Sequence, residues 1–245
     1  MLRRGVSGLA LALFFVAGAH AQTHHCGNPF QNHFGPFDYR TATAKQKLAV
    51  ESVHYTAEIQ QMKAGGTTTN LAGDLAYTLR VFPNHHGALK TMSDWSVRTK
   101  RNPARGGHYT VECWFDRALR FRPDDAMVKM LFGVYLLQVG KSKEAVEHLE
   151  QARKEERRNA NLHYNLGLAY VRLGRYGEAL ESAHIAYGLG FPLPGLRNQL
   201  VKAGKWRDPF APSTQQEAIE ATEQTEPVVP AADAEDAPPA GTMAE

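Results

Sequence analysis

Two adjacent stretches decide the fold: residues 126–159, AMVKMLFGVYLLQVGKSKEAVEHLEQARKEERRN, and residues 160–193, ANLHYNLGLAYVRLGRYGEALESAHIAYGLGFPL. Laid over one another, they repeat with a period of 34 residues. Phe132-Gly133-Val134 falls on Leu166-Gly167-Leu168, and Val139-Gly140-Lys141 on Leu173-Gly174-Arg175. Glu144-Ala145-Val146-Glu147 falls on Glu178-Ala179-Leu180-Glu181, and Ala152 on Ala186. The coincidences sit at apolar, glycine and alanine positions, where packing restricts residue type. A period of this length is the signature of a stacked helical repeat.

Each unit reads as two helices. Met127, Met130, Leu131, Val134 and Leu137 recur at helical spacing, Gly140 ends that helix, and Ser142 is placed to cap the next. Ala145, Val146, Leu149 and Ala152 form the apolar stripe of the second helix. Leu162, Leu166, Ala169 and Leu173, then Ala179, Leu180 and Ala183, repeat the scheme. Gly133 and Gly167, facing Ala145 and Ala179, mark where the two helices of a hairpin come close.

These residues resemble the tetratricopeptide repeat family, whose pattern is a large residue, Leu-Gly, an aromatic, three alanine-like positions and a proline. Residues 160–193 match through Leu166-Gly167, Tyr170, Ala179, Ala183 and Ala186, with Pro192 one place late. Residues 126–159 match through Phe132-Gly133, Leu136, Ala145, Leu149 and Ala152 and lack the proline. Upstream, Phe115 to Pro123 reads as the second helix of an earlier unit whose first helix is His86 to Arg98. The connection Thr99 to Gly107 is then about six residues longer than the repeat allows. Leu71 to Val81 reads as half of a still earlier unit, and Leu196 to Ala203 as a terminal capping helix. The resemblance implies an all-α fold: a right-handed superhelical solenoid of about three hairpins over residues 71–205, with an N-terminal extension and a capping helix.

The flanks read differently. Arg3-Arg4, the apolar run Gly5 to Gly18 and Ala19-His20-Ala21 form the pattern of a cleaved signal peptide, residues 1–21. The run is shorter than the about 20 residues that a membrane span needs. The expected address is periplasmic or secreted, with no transmembrane span after processing. Cys26 and Cys113 are the two cysteines. In an oxidising compartment an even pair points to one disulfide, the alternative being two free thiols. Residues 22–70 do not fit the repeat and are read as an extension capping the first hairpin.

Charge is unevenly placed. The chain holds 28 basic and 25 acidic side chains. From Asp208 onward there are nine acids and no Lys or Arg. Residues 1–207 therefore carry +12, and +10 once Arg3 and Arg4 leave with the signal. Residues 206–245, rich in Pro, Ala, Thr and Gln, are read as a disordered acidic tail.

Motifs for catalysis are missing: there is no G-x-S-x-G, phosphate loop or H-E-x-x-H. No cofactor and no internal metal site is expected, since His85-His86 and His24-His25-Cys26 are adjacent pairs rather than converging ligands. A metal reading does attach to the processed terminus. Gln22-Thr23-His24 would offer an amine, two amide nitrogens and an imidazole, a set suited to Cu(II) or Ni(II). Asp124-Asp125 after Pro123 is read as a helix cap. Among basic clusters, Lys154, Arg157 and Arg158 are read as helix-end charges, and Arg98, Lys100, Arg101 and Arg105 in the long connection as a partner-binding candidate.

The resemblance further implies that the first helix of each unit lines a concave groove. By repeat position the groove holds Lys90, Met127, Met130, Val134, Leu137, Asn161, Tyr164, Asn165, Leu168 and Arg172. Asp94 and Leu131 stand where a carboxylate-gripping member of the family would carry asparagine. The expected function is a non-catalytic, protein-binding adaptor or assembly factor of the bacterial cell envelope. The alternative is a periplasmic copper- or nickel-binding protein. The expected partner is another protein or peptide, with an anionic envelope surface as a second candidate and nucleic acid disfavoured by the signal.

Tail and body together generate one test. Tethered acids stay at high effective concentration near a basic body and compete with anionic partners. Truncation after Arg207 is expected to strengthen binding to anionic liposomes at low salt. The gain should vanish as the Debye length falls from about 30 Å at 0.01 M to about 3 Å at 1 M. Equal binding of full and truncated chains at every salt concentration would make the tail an inert tether.

Overall fold

A computed structural model describes residues 25–63 and 71–209, and they are all-helical. The signal segment 1–21, the Gln22-Thr23-His24 terminus and residues 210–245 of the tail lie outside the described residues. The helices are α1 (Ala44–His54), α2 (Ala57–Gln60), α3 (Leu71–Val81), α4 (His86–Thr99), α5 (Val111–Phe121), α6 (Ala126–Gln138), α7 (Ser142–Glu155), α8 (Ala160–Arg172), α9 (Tyr176–Gly188) and α10 (Gly195–Lys202). The closest packing is within the hairpins α6–α7 and α8–α9, followed by α7 on α8. One continuous apolar core runs through the stack from Ile59 to Leu200.

Each first helix starts on a capping side chain. His85 accepts a hydrogen bond from the Ala88 N–H, Asp125 from Val128, and Asn159 from Leu162. Such caps satisfy backbone donors that have no partner inside the helix. The second helices α7 and α9 start another way, whereas α5 begins on Thr110, whose hydroxyl accepts from the Cys113 N–H. Gly140 and Gly174 take positive φ (84° and 70°), and the N–H groups of Lys141 and Arg175 donate back to the carbonyls of Leu136 and Tyr170. That is the glycine-terminated helix end, which favours glycine because a Cβ strains the left-handed conformation. The expectation for Ser142 fails here. Lys141 is the cap residue, no side chain bonds to the helix start, and Ser142 is already in the first turn.

The repeat glycines sit at the tightest contacts. A Cβ built on Gly133 would lie 2.5 Å from Leu149 Cγ and 3.2 Å from the Ala145 carbonyl. One on Gly167 would lie 2.4 Å from Leu196 Cδ2 and 3.4 Å from the Ala179 carbonyl. One repeat after Leu149 stands Ala183, too small to cover Gly167. Leu196 of α10 supplies the missing bulk and is fully buried with Leu200. The capping helix thus completes the last hairpin from outside it.

The N-terminal segment is fastened rather than stacked. Cys26 and Cys113 form a disulfide, with Cα atoms 5.0 Å apart and a sequence separation of 87. Closing a loop of that size contributes about 4–5 kcal/mol in the chain-entropy account. Arg117 and Arg120 of α5 donate to the carbonyls of Cys26 and Gly27. Farther on, the Phe37 N–H donates to the Val81 carbonyl at the end of α3, and α1 packs on α3. The segment therefore spans α3 and α5, across the unit with the overlong connection. That connection is itself anchored: Asn102 accepts from the Val111 N–H and donates to Glu112 and Tyr135.

These contacts separate two substitutions of the same kind. Alanine in place of glycine inside a helix gains about 1 kcal/mol from propensity alone. At Gly133 the new methyl meets the branch point of Leu149 and a carbonyl, so Gly133→Ala should be net destabilising by about 1–3 kcal/mol. At Gly167 it meets a terminal methyl on an end helix, so Gly167→Ala should be near neutral. Urea midpoints of the two variants check this, and equal effects would refute the assigned contacts.

Candidate functional site

On the first-helix side of the stack, α4, α6 and α8 enclose a cavity of about 260 Å³. Its wall brings together six of the ten groove residues named from the sequence: Lys90, Met130, Val134, Asn161, Tyr164 and Asn165. Met127, Leu137, Leu168 and Arg172 do not line it. Leu137 is buried in the core, and the Arg172 guanidinium donates to the Leu137 carbonyl at the end of α6. Arg172 is thus spent on tying α8 to α6. Met127 and Leu168 are half-buried against the core.

The floor of the cavity is apolar, made by Met130, Leu131 and Val134, with Tyr135 behind them. Burial, reinforced by the Glu112 carboxylate it bonds to, pushes the Tyr135 phenol well above its usual range, so it stays a neutral donor. The polar rim is largely self-satisfied. Lys90 pairs with Asp94 one helical turn on, and Asn165 donates to the Asn161 carbonyl and side chain. With its ammonium paired to Asp94, Lys90 is not a free cation awaiting a carboxylate. The site offers an apolar bed with amide hydrogen-bonding groups along one edge.

Two further residues of this wall have no periodic signal in the sequence. The connection from α9 to α10 folds back so that Phe191 and Leu193 enter the cavity. Phe191 stacks on Tyr164 with ring centroids 4.1 Å apart, while Leu193 is 56% exposed. Tyr187 holds the connection in place, donating to the Leu193 carbonyl and accepting from the Arg197 N–H. Behind it, Tyr187, Phe191, Pro192, Arg197 and Trp206 border a second hollow of about 600 Å³.

The remaining candidates resolve into structural roles. His85 and Asp125 cap helices, and His86 donates to Asp125. His54 pairs with Asp74. His25, Cys26 and Cys113 bring three potential metal donors within 4.8 Å of one another, but both sulfurs are committed to the disulfide. Arg98, Lys100, Arg101 and Arg105 are exposed along the long connection, with Arg98 over the Trp95 ring. No helix among the described residues is long and apolar enough to cross a membrane.

The family comparison agrees with the repeat geometry. Residues 130–190 match the model of the tetratricopeptide repeat family. An 80-residue stretch is 36% identical to the peroxisomal targeting signal receptor of Candida albicans (strain SC5314 / ATCC MYA-2876). A stretch of the same length is 35% identical to the protein of that name from Debaryomyces hansenii. Each alignment covers 33% of this chain and 13% of the relative, so the chain spans about an eighth of the length of the curated relatives it matches. Two solved structures of MamA AMB-1 are similar at 20% and 19% identity, each with a TM-score of 0.45. They cover 74% of this chain and 87% and 94% of their own.

The histidine cluster beside the first repeat yields a measurable consequence. His85 is 1% exposed, its Nδ1 accepting from the Ala88 N–H and its Nε2 donating to Glu51. Burial lowers its pKa from 6.5 to about 4, against the opposing pull of Glu51. The unfolded chain therefore takes up the proton first as pH falls. The neutral imidazole costs nothing above about pH 6.5, and stability is lost progressively from there down to about 4. His85→Asn keeps a capping oxygen without a titrating ring. Its urea midpoint should depend less on pH between 4 and 6.5 than that of the wild type. Parallel profiles would refute the assignment.

Proposed function

We propose, from the premise that this chain carries tetratricopeptide repeats over residues 130–190, that it is a non-catalytic adaptor of the bacterial cell envelope. In this reading it holds an extended or helical peptide segment of another protein in the cavity between α4, α6 and α8. The observation that carries the proposal is the composition of that wall: Met130, Leu131 and Val134 as an apolar bed, with Asn161 and Asn165 along its edge. An apolar floor with a few placed polar groups suits recognition of a peptide by its side chains. The relatives named as targeting signal receptors support a peptide-binding role. The ion pair of Lys90 with Asp94 argues for an apolar segment rather than a terminal carboxylate.

An address outside the cytoplasm, periplasmic or secreted, is proposed on two supports. One is the basic, apolar and small-x-small order of residues 1–21. The other is the bond between Cys26 and Cys113, which persists in oxidising compartments. The boundaries 22–70 and 71–205 carry over as the proposed extension and repeat domain.

A photo-crosslinking residue at Val134 of the mature chain is expected to capture a partner from the envelope fraction. The same group at exposed Val201 on α10 should not. Val134→Asp should weaken binding of the captured partner more than about tenfold, or about 1.4 kcal/mol. Capture at both positions alike, or no loss with Val134→Asp, would remove the groove from the account.

A further inference from the structure

Three donor groups meet where the N-terminal segment is fastened to α5. His25 Nε2, Cys26 Sγ and Cys113 Sγ all lie within 4.8 Å of one another. The imidazole nitrogen stands 3.5 Å from the Cys26 sulfur. A thiolate and an imidazole that share one metal ion, with bonds of about 2.3 and about 2.0 Å, stand about 3.5 Å apart. His25 is exposed, whereas Cys26 and Cys113 are 5% and 2% exposed. Two soft sulfurs are therefore shielded from water, with one ring at their mouth. Adjacency of His25 and Cys26 in the chain hides the group, because Cys113 arrives from 87 residues away.

A second observation concerns charge. Arg117 stands one helical turn after Cys113 on α5 and is 3% exposed. Its guanidinium donates to the Cys26 carbonyl, and its Nε is buried without an acceptor. A buried cation without a counter-charge is costly. While the cysteines are bridged, the sulfurs are neutral and offer it none. Two thiolates on one Cu(I) ion carry a single net negative charge, which Arg117 balances. Cys113 also lies in the first turn of α5, where negative charge is favoured.

The segment does not rely on the bridge alone to stay seated. Arg117 and Arg120 hold the carbonyls of Cys26 and Gly27, and the Phe30 ring packs on Phe121 at 5.8 Å. These ties keep the cysteines together once the bridge is opened. A dithiol reductant opens it. One thiolate of the reductant attacks a bridge sulfur and forms a mixed disulfide, and its second thiol closes the reductant's own disulfide. Both protein cysteines leave as thiols, and an incoming metal ion displaces their two protons. Thiolates select Cu(I) or zinc. Zinc takes four donors, and no fourth His, Cys, Asp or Glu joins this group among the described residues.

We propose that the reduced chain binds one Cu(I) ion between Cys26, Cys113 and His25. The bridged and loaded forms exclude each other, so the site exists only after reduction. It differs from the amino-terminal Gln22-Thr23-His24 set, which suits Cu(II), and it does not depend on what the groove binds.

Cu(I) added without oxygen to the mature protein, bridged or reduced by a phosphine, tests it. The readouts are competition with a coloured Cu(I) chelator and the ultraviolet absorption of copper–thiolate bonds. The reduced chain is expected to keep its helical signal and to bind one equivalent with that absorption, and the bridged chain to show none of it. His25→Gln changes an exposed side chain and should weaken binding more than about tenfold without loss of helix. His24→Gln should leave binding unchanged. Four results would overturn the proposal: loss of helical signal on reduction, equal binding by bridged and reduced chains, no effect of His25→Gln, or equal weakening by His24→Gln.

Discussion

The stack is built around two absent side chains. At Gly133 and Gly167 the backbone of a first helix comes so near its neighbours that an added methyl must displace a leucine, Leu149 at the first and the end of Leu196 at the second. Close approach lets Ala145, Ala152, Ala179 and Ala183 be fully buried while contributing little volume. Dense packing is then reached with small residues, and the large ones, Leu149, Leu162, Leu166 and Tyr170, share one continuous core with them. The groove follows from the same spacing. Because the hairpins close tightly on one side, α4, α6 and α8 are left lining the other, with Met130, Val134 and Tyr164 facing a shared space.

The first half is held by different means. Its overlong connection breaks the regular stacking, and covalent and polar ties take over. Asp38 is the hub. It accepts from Arg40 and Asn84 and pairs with Arg122, while Asn84 also donates to Asp125 and His86 reaches the same carboxylate. Burial alone would raise the Asp38 carboxyl, but the hydrogen bonds from Arg40 and Asn84 outweigh it and hold the group well below the usual range. The junctions before α4 and α6 are thus locked to each other and to the N-terminal segment. Arg117, buried without an ion-pair partner among the described residues, is steadied by the Cys26 carbonyl and the rings of Tyr109 and Trp114.

What could be read from the sequence was whatever recurs. The 34-residue register located α6 to α9, and the break at Gly140 located the turn between α6 and α7. The terminal run from Leu196 located α10. Asp125 was legible as a cap because the local pattern of proline, acid and apolar run is sufficient. Ser142 misled for the same reason: a cap residue type stood at the right place, but the chain had already turned through Gly140 and Lys141. Phe191 and Leu193 in the groove depend on how a connection folds back, and the loss of Arg172 depends on a carbonyl 35 residues away.

The contribution of Leu196 limits how this chain can lengthen by gene duplication. A copied unit inserted after residue 193 would separate α10 from Gly167, leaving a vacancy over that glycine unless the newcomer brought its own large side chain. A duplicate of residues 126–159 carries such a residue at the position of Leu149, but in its own second helix, where it covers its own glycine. The last unit, with Ala183 in that place, is therefore tailored to stay last. Growth of the array is open between its members and closed at this end.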